Sequence, residues 1–130
     1  MCALPNRKTI LVVDDEATPR DLISRILKQN DFEVLVAASG AAAIELVSAH
    51  GATIDLVTLD IIMPELGGEE TFLAIHYLQP KLPFLIITGG DENETVHRLL
   101  LSGYCAKLAK PFTVTTLMDK ILWMLVQYPR

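Results

Sequence analysis

Five polar side chains stand at the points where four apolar runs of the chain end. They are Asp14 and Asp15 after the run at 10–13, Asp60 after 54–59, Thr88 after 84–87, and Lys110 after 105–109. If the runs are strands of a parallel sheet, their carboxyl ends lie along one edge, where ligands bind in open α/β sheets. Three carboxylates, one hydroxyl and one ammonium group would then share a single crevice.

Phosphoryl transfer to a carboxylate needs this combination of side chains. Crowded carboxylates raise one another's pKa unless a cation neutralises them, and Mg²⁺ prefers oxygen ligands. Lys110 cannot bind a metal ion, but its ammonium group can neutralise a phosphoryl oxygen, and the hydroxyl of Thr88 can donate to another. The residues therefore predict a nucleophile, a metal site, a cation and a donor at one place.

The elements that must position these residues follow from the hydrophobic pattern. Short apolar runs alternate with longer segments of helical period, which predicts repeated β–α–β units around a parallel sheet. The predicted strands cover about 9–14, 33–38, 54–59, 83–88 and 105–109. Three of the predicted helices cover about 18–29, 69–78 and 113–128. The second helix is predicted to run from its cap at Ser39 to residue 48, and the fourth from the turn at 89–91 to Gly103.

Two of these helices show clear end signals and buried faces. In the first, Thr18 is the predicted N-cap and Pro19 the first helical residue. The predicted buried stripes are Leu22, Ile23, Ile26 and Leu27 in the first helix and Val114, Leu117, Met118, Ile121, Leu125 and Tyr128 in the last.

Five such units predict an α/β fold of the flavodoxin-like (βα)5 type, a three-layer sandwich with a parallel sheet of order 2-1-3-4-5. This order places the first strand beside the third. Asp14 and Asp15 therefore become neighbours of Asp60 at the point where the strand order reverses.

Bulk properties narrow the class of protein. The 130 residues predict one domain, with a tail at 1–7, the folded body at 8–128 and the end at 129–130. The net charge of −5 disfavours direct binding to nucleic acid. No apolar run is long enough to span a membrane, and the two cysteines, Cys2 and Cys105, have no metal-type spacing. These features favour a cytoplasmic protein in a reducing compartment.

Four motifs together resemble the receiver domain of two-component response regulators. The resemblance covers about residues 8–128, and the motifs stand in the family's order at the ends of the predicted strands. They are Val12-Val13-Asp14-Asp15-Glu16, Asp60-Ile61-Ile62-Met63-Pro64-Glu65 followed by Gly67-Gly68, Ile87-Thr88-Gly89, and Lys110-Pro111-Phe112.

The resemblance implies a phosphorylation site with a metal ion. Asp60 would accept a phosphoryl group from a phosphohistidine of a sensor kinase or a phosphotransfer protein, and the acyl phosphate would later be hydrolysed. The protein would be a signalling receiver rather than a classical enzyme. Mg²⁺ would be bound directly by Asp15, Asp60 and the backbone carbonyl of Ile62, and largely through water by Asp14.

The resemblance also assigns the switch. Lys110 would pair with the phosphoryl oxygens and precede a cis proline bond. Thr88 would move toward the phosphoryl group, and Gly89 would leave the approach to Asp60 open. The movement would be read by a separate protein effector or a fused output domain.

The position three residues before Lys110 departs from the family pattern. It is usually aromatic, and here it is Lys107. We interpret this as loss of the usual aromatic coupling, with activation transmitted by backbone shifts of the fourth helix and fifth strand. A simpler reading, that Lys107 protects an exposed edge strand, explains the lysine equally well and implies the same loss.

Trp123 points away from the predicted buried stripe of the last helix. An exposed tryptophan is typical of a contact surface, so it predicts packing on an effector or on a second copy of the chain. A shifted helix phase, or a cover from the N-terminal tail, would instead shelter the ring.

Two other functions compete with a phosphorylated receiver. A pseudo-receiver would keep the fold and bind partners without phosphate, but all of the acidic residues, Thr88 and Lys110 are retained. A phosphatase with an aspartyl nucleophile would need a second aspartate two residues after Asp60, where Ile62 stands.

Overall fold

The fold is a five-stranded parallel sheet with helices on both faces, as the sequence predicts. A computed structural model describes residues 7–61, 67–89, 94–102 and 104–130. The strands are β1 (Thr9–Val13), β2 (Glu33–Ala37), β3 (Leu56–Asp60), β4 (Phe84–Thr88) and β5 (Cys105–Ala109). The helices are α1 (Ala17–Gln29), α2 (Gly40–His50), α3 (Gly68–Leu78), α4 (Glu94–Leu101) and α5 (Val114–Gln127).

The strand order β2-β1-β3-β4-β5 confirms the predicted flavodoxin-like topology. Strand β1 pairs with β3 so that Val13 lies opposite Leu59, and β3 pairs with β4 so that Asp60 lies opposite Ile87. The carboxyl ends of the three central strands therefore meet at one edge of the sheet.

Each face of the sheet has its own apolar core, because the central strands are buried on both sides. One core lies beneath α2, α3 and α4 and includes Val57, Phe72, Ile75 and Leu99. The other lies beneath α1 and α5. Its members include Ile23, Leu27, Ile121 and Met124. Every residue of β3 and β4 is buried, which explains why these strands read as continuous apolar runs.

The sequence predicts the start of α2 correctly and that of α1 incorrectly. Ser39 Oγ accepts from the Ala42 amide at 3.1 Å, which confirms the predicted cap of α2. The predicted cap of α1 is wrong, because α1 begins at Ala17 with Glu16 as its N-cap. Thr18 and Pro19 therefore lie inside the first turn, where proline is tolerated since the amides there have no partner within the helix.

Two residues of the predicted buried stripes are exposed instead. Leu22 is 48% exposed and Val114 is 53% exposed, whereas Met124, which was not predicted, is fully buried. Leu22 lies at the margin of its predicted stripe, and Val114 is the first residue of α5. The buried residues of α5 are Leu117, Ile121 and Met124, so its buried face is rotated from the predicted one.

The third strand begins at Leu56, two residues later than predicted. A 3₁₀ turn, Gly51–Thr53, occupies the preceding segment. Asp55 then accepts a hydrogen bond on Oδ2 from the amide of Thr9 at 2.8 Å. This contact joins the start of β3 to the start of β1. The predicted end of the fourth helix at Gly103 lies outside the described residues.

Among the helices of the described part of the chain, none is long and apolar enough to cross a membrane. Cys105 is a free, half-buried thiol, and burial raises its pKa to about 12. It is therefore protonated and unreactive near neutral pH.

Candidate functional site

Asp14 lies just beyond the carboxyl end of β1 and is held there by backbone contacts. Its amide donates to the carbonyl of Ala37 at 3.2 Å, and its Oδ1 accepts from the amide of Glu16 at 2.9 Å. The guanidinium of Arg20 donates to its backbone carbonyl at 3.0 Å. Asp14 is only 1% exposed, and its Oδ2 has no hydrogen-bond partner among the described residues.

Asp60 and Lys110 form an ion pair between the ends of β3 and β5. Lys110 Nζ lies 3.2 Å from Asp60 Oδ2. The side chain of Asp60 is 7% exposed and that of Lys110 is 32% exposed. The carboxylate is therefore largely shielded from water while the lysine reaches it from a more open position.

Asp14, Asp15 and Asp60 form one acidic cluster, as the sequence predicts. One carboxylate oxygen of each lies within 4.8 Å of those of the others. The pKa of Asp14 is raised, mainly by burial, and the negative charges of Asp60 and Asp15 add to this. The amide of Glu16 and the charge of Lys110 act in the opposite direction. The cluster therefore carries more negative charge than its own cation compensates.

Thr88 ends β4 beside the ion pair. It is buried, and its backbone carbonyl accepts from the amide of Lys110 at 2.8 Å, which ties the ends of β4 and β5 together. Gly89 follows and is exposed, and a Cβ added there would meet no atom within 4 Å. The edge of the sheet beyond Thr88 is thus open at this glycine.

A close backbone contact positions the start of α3 next to the cluster. A Cβ added at Gly68 would lie 2.4 Å from the carbonyl oxygen of Ile61 and 2.6 Å from its Cα. The amide of Ile61 in turn donates to Ile87 at 3.1 Å. Only glycine at position 68 allows α3 to pack so closely against the residue that follows Asp60.

The structure thus brings together Asp14, Asp15, Asp60 and Lys110 and places Thr88 on the neighbouring strand end. Ile62, the predicted backbone ligand, lies outside the described residues. Sequence reasoning missed the contact of Arg20, which no motif signals, and the packing role of Gly68. For Gly68 the Gly67-Gly68 pair was the available signal.

The sequence profile of the response regulator receiver domain matches residues 10–122. The chain belongs to this family. It is 33% identical over 113 residues to the chemotaxis protein CheY of Bacillus subtilis, which covers 86% of this chain and 92% of that protein. It is 30% identical over 122 residues to the sensor kinase CckA of Brucella abortus, which covers 94% of this chain but 13% of that protein.

Solved structures agree with this assignment. A CheY-like response regulator receiver domain protein from Methanospirillum hungatei superposes with a TM-score of 0.85 at 27% identity, covering 95% of this chain and 97% of that one. Receiver domains are signalling modules of two-component systems. The chain corresponds to a small part of some relatives, such as CckA, and to nearly all of CheY.

Lys107, which departs from the family pattern, and the exposed Trp123 lie at one place on this receiver domain. Trp123 is 49% exposed, as predicted, and packs edge-on against Tyr128 at a ring distance of 6.2 Å. Lys107 lies on the edge strand β5, half-buried. Both line a cleft of about 580 Å³ between β5 and α5. The bond between Lys110 and Pro111 is cis, as the resemblance implied.

Proposed function

We propose that this receiver domain accepts a phosphoryl group on Asp60 from a phosphohistidine of a sensor histidine kinase or phosphotransfer protein, in a reaction that needs Mg²⁺. The observation that carries the proposal is the convergence of three carboxylates within 4.8 Å, with a lysine ammonium 3.2 Å from one of them. A purely structural cluster would not favour an arrangement that leaves buried carboxylates so poorly compensated.

The residues present fit a magnesium ion. Asp14, Asp15 and Asp60 offer only oxygen donors, which Mg²⁺ prefers, and the buried Oδ2 of Asp14 has no hydrogen-bond partner in the described ranges. When ionised, the three carboxylates and Lys110 leave a net charge of −2, which one divalent ion neutralises. Bound there, the ion would neutralise phosphoryl oxygens. The backbone carbonyl of Ile62 is proposed as a further ligand.

Asp60 acts as the nucleophile. One of its carboxylate oxygens forms a bond to phosphorus while the bond from phosphorus to the donor imidazole nitrogen breaks, and that nitrogen keeps the electron pair. Lys110 already contacts the Asp60 carboxylate and compensates the charge gathered on the phosphoryl oxygens. The hydroxyl of Thr88, at the adjacent strand end, donates a hydrogen bond to a phosphoryl oxygen.

The open edge at Gly89 gives the phosphohistidine of a partner access to Asp60. Hydrolysis of the acyl phosphate resets the domain, so its chemistry is limited to its own phosphorylation and dephosphorylation. A second candidate function is that of a pseudo-receiver that binds partners without phosphate. Lys107, in place of the aromatic residue usual in the family, is the observation that favours it.

Mass spectrometry separates the two functions. Incubation of the intact chain with Mg²⁺ and a small acyl-phosphate donor should add the mass of one phosphoryl group to the wild type and none to Asp60→Asn. Asp21→Asn, which removes an exposed carboxylate on α1, serves as the matched control and should be modified like the wild type. An unmodified wild type would favour the pseudo-receiver.

The cleft between β5 and α5 is the proposed output surface. Trp123 and Lys107 line it, and it would contact a separate effector or a fused output domain. Self-association through α5 is the other use that the sequence predicts for Trp123. Light scattering of the wild type and Trp123→Ala, with and without a phosphate mimic, tests this, and a monodisperse monomer in all samples would exclude it.

A further inference from the structure

The outer face of α3 carries an apolar pair that its packing does not use. The helix buries Gly68, Thr71, Phe72 and Ile75 against the sheet. Directly opposite, Leu73 is 51% exposed and Tyr77 is 85% exposed. These two residues are one turn apart, so their side chains lie next to each other on the solvent side.

Opposite charges stand at the two ends of this pair. Glu70, one turn before Leu73, is exposed, and so is Lys81, in the turn that follows the helix. We call Glu70, Leu73, Tyr77 and Lys81 the α3 stripe. Its order along the chain is acidic, apolar, apolar, basic.

We propose that the α3 stripe is a contact surface for a second copy of this chain, packed antiparallel about a two-fold axis. In this arrangement Glu70 of each copy meets Lys81 of the other, and Leu73 meets Tyr77. Such an interface is self-complementary, as two-fold symmetry requires.

The spacing of the stripe supports this arrangement. The midpoint of Leu73 and Tyr77 falls at position 75, and that of Glu70 and Lys81 falls between positions 75 and 76. A two-fold axis through the middle of α3 therefore brings Leu73 of each copy onto Tyr77 of the other. Lys81 lies three residues beyond the end of α3 at Leu78, and in the proposed dimer its long side chain reaches Glu70 of the other copy. A parallel copy would instead place like charges together.

A residue of α4 extends the surface. Arg98 of α4 pairs with Glu69 of α3 at 2.9 Å, and both helices run in the same direction because each returns between parallel strands. One turn further along each helix lie Leu101 and Leu73, which places Leu101 beside the stripe. Leu101 is 88% exposed and widens the apolar area.

The exposed face of α5 lacks this order of charges. Its ionisable residues, Asp119 and Lys120, are adjacent near the middle of the helix, so no antiparallel copy can pair them across an apolar centre. Because the α3 stripe is small, the dimer is weak, with a dissociation constant on the order of 0.1 mM.

Sedimentation velocity with charge-reversal variants tests the proposal. The wild type, without Mg²⁺ or a phosphate donor, should shift from monomer to dimer between about 10 μM and about 1 mM. Glu70→Lys and Lys81→Glu should each weaken the dimer about tenfold, because both symmetric pairs become repulsive. Tyr77→Ser should weaken it at least as much.

An equimolar mixture of the two charge variants is the decisive sample. One protomer then carries two lysines and the other two glutamates, so both pairs are attractive again, and dimerisation should return to near the wild-type level. Glu70→Lys also removes the 3.3 Å hydrogen bond that the Gly67 amide donates to Glu70, which lowers the stability of the variant. Thermal unfolding shows whether each variant is folded at the temperature of the measurement, and recovery of the dimer in the mixture does not depend on that hydrogen bond.

Asp21→Lys and Lys28→Glu, also mixed, are the matched controls. They make the same charge changes on the exposed side of α1, which packs on the other face of the sheet, and should leave the wild-type dimer unchanged. A wild type that stays monomeric over the whole range would overturn the proposal. So would a mixture no tighter than the single variants, or a dimer that responds to Trp123→Ala or the α1 controls instead. Because no phosphate enters the measurement, its outcome is independent of the proposed phosphorylation.

Discussion

The folded protein disfavours the ionised form of the Asp14 side chain. Burial raises its pKa above the ordinary value of 3.8, and so do Asp60 and Asp15. The folded state therefore holds the Asp14 proton more tightly than the unfolded chain. As pH rises from about the unfolded pKa through the raised folded pKa, this residue lowers the free energy of unfolding, and above that window the loss is complete.

Asp14→Asn should consequently stabilise the metal-free protein near neutral pH by about 1 kcal/mol or more. The gain should be small near pH 4, grow through the window and then level off, as measured by urea denaturation without divalent ions. Asp21→Asn, which removes an exposed carboxylate of α1, is the control. If the gain from Asp14→Asn is the same at every pH, the raised pKa is not its cause.

Gly68 and Gly89 lie near the same site but tolerate a methyl group very differently. Gly68→Ala forces a methyl group onto the backbone of Ile61, which cannot move without shifting β3, and should cost about 1–3 kcal/mol of stability. Gly89→Ala meets nothing within 4 Å and should change stability by less than about 0.5 kcal/mol. Chemical denaturation of both variants gives the comparison, and equal losses would show that the contact at Ile61 is not limiting.

The strands were easier to predict from the sequence than the buried faces of the helices. The runs before Asp60 and Thr88 are buried on both faces, so composition alone shows where each strand ends. Whether Leu22 or Val114 is buried depends on how the helix is rotated against the sheet, which neighbouring elements decide. The same holds for the start of β3, which the Asp55 contact to Thr9 fixes from another strand.

The site could be predicted to the extent that strand ends define it. Asp14, Asp15, Asp60, Thr88 and Lys110 follow from the sheet order, because parallel strands gather their carboxyl ends. Contacts made by side chains that reach from a helix could not be found this way. Arg20 is one such residue, since nothing in the sequence near it signals a bond to the carbonyl of Asp14.

Under the proposed function, strand β5 couples the acidic cluster to the proposed output surface. Lys107 is half-buried on this edge strand and borders the cleft that Trp123 also lines. Lys107→Tyr introduces a ring that can occupy the cleft in one state and leave it in the other. We expect the ratio of effector affinities, with and without a phosphate mimic, to increase severalfold, which corresponds to about 1 kcal/mol of coupling.

Calorimetric titration of wild type and variant against the same effector gives this ratio. Lys107→Met keeps a long flexible side chain without the charge or the ring and serves as the control. If Lys107→Met produces the same increase, removal of the charge is responsible, and the aromatic ring is not required for coupling.

The carboxyl and amino edges of the sheet differ in their contacts. The carboxyl edge gathers charged groups that are poorly compensated, and the amino edge is closed by hydrogen bonds. There Arg130 donates to the backbone carbonyls of Gly51 and Ile54 and, at 2.6 Å, to Oε1 of Gln79. These contacts join the residues after α5 to the turn before β3 and to the end of α3, which lies on the other face of the sheet.

Removing this closure should destabilise the domain without affecting the acidic cluster. Arg130→Gln leaves the buried carbonyl of Ile54 without its donor, so we expect a loss of about 1–2 kcal/mol in the free energy of unfolding. Arg130→Lys retains one donor and should lose less. Arg7→Gln is the matched control and should cost less than about 0.5 kcal/mol, because the ion pair of Arg7 in the described ranges is with the 60% exposed side chain of Glu33. Urea denaturation should show these differences. The proposed phosphorylation of Asp60 should proceed at the wild-type rate, because Arg130 contacts Gly51, Ile54 and Gln79 at the amino edge. A slower phosphorylation in Arg130→Gln would mean that the amino edge supports the site through the strands themselves.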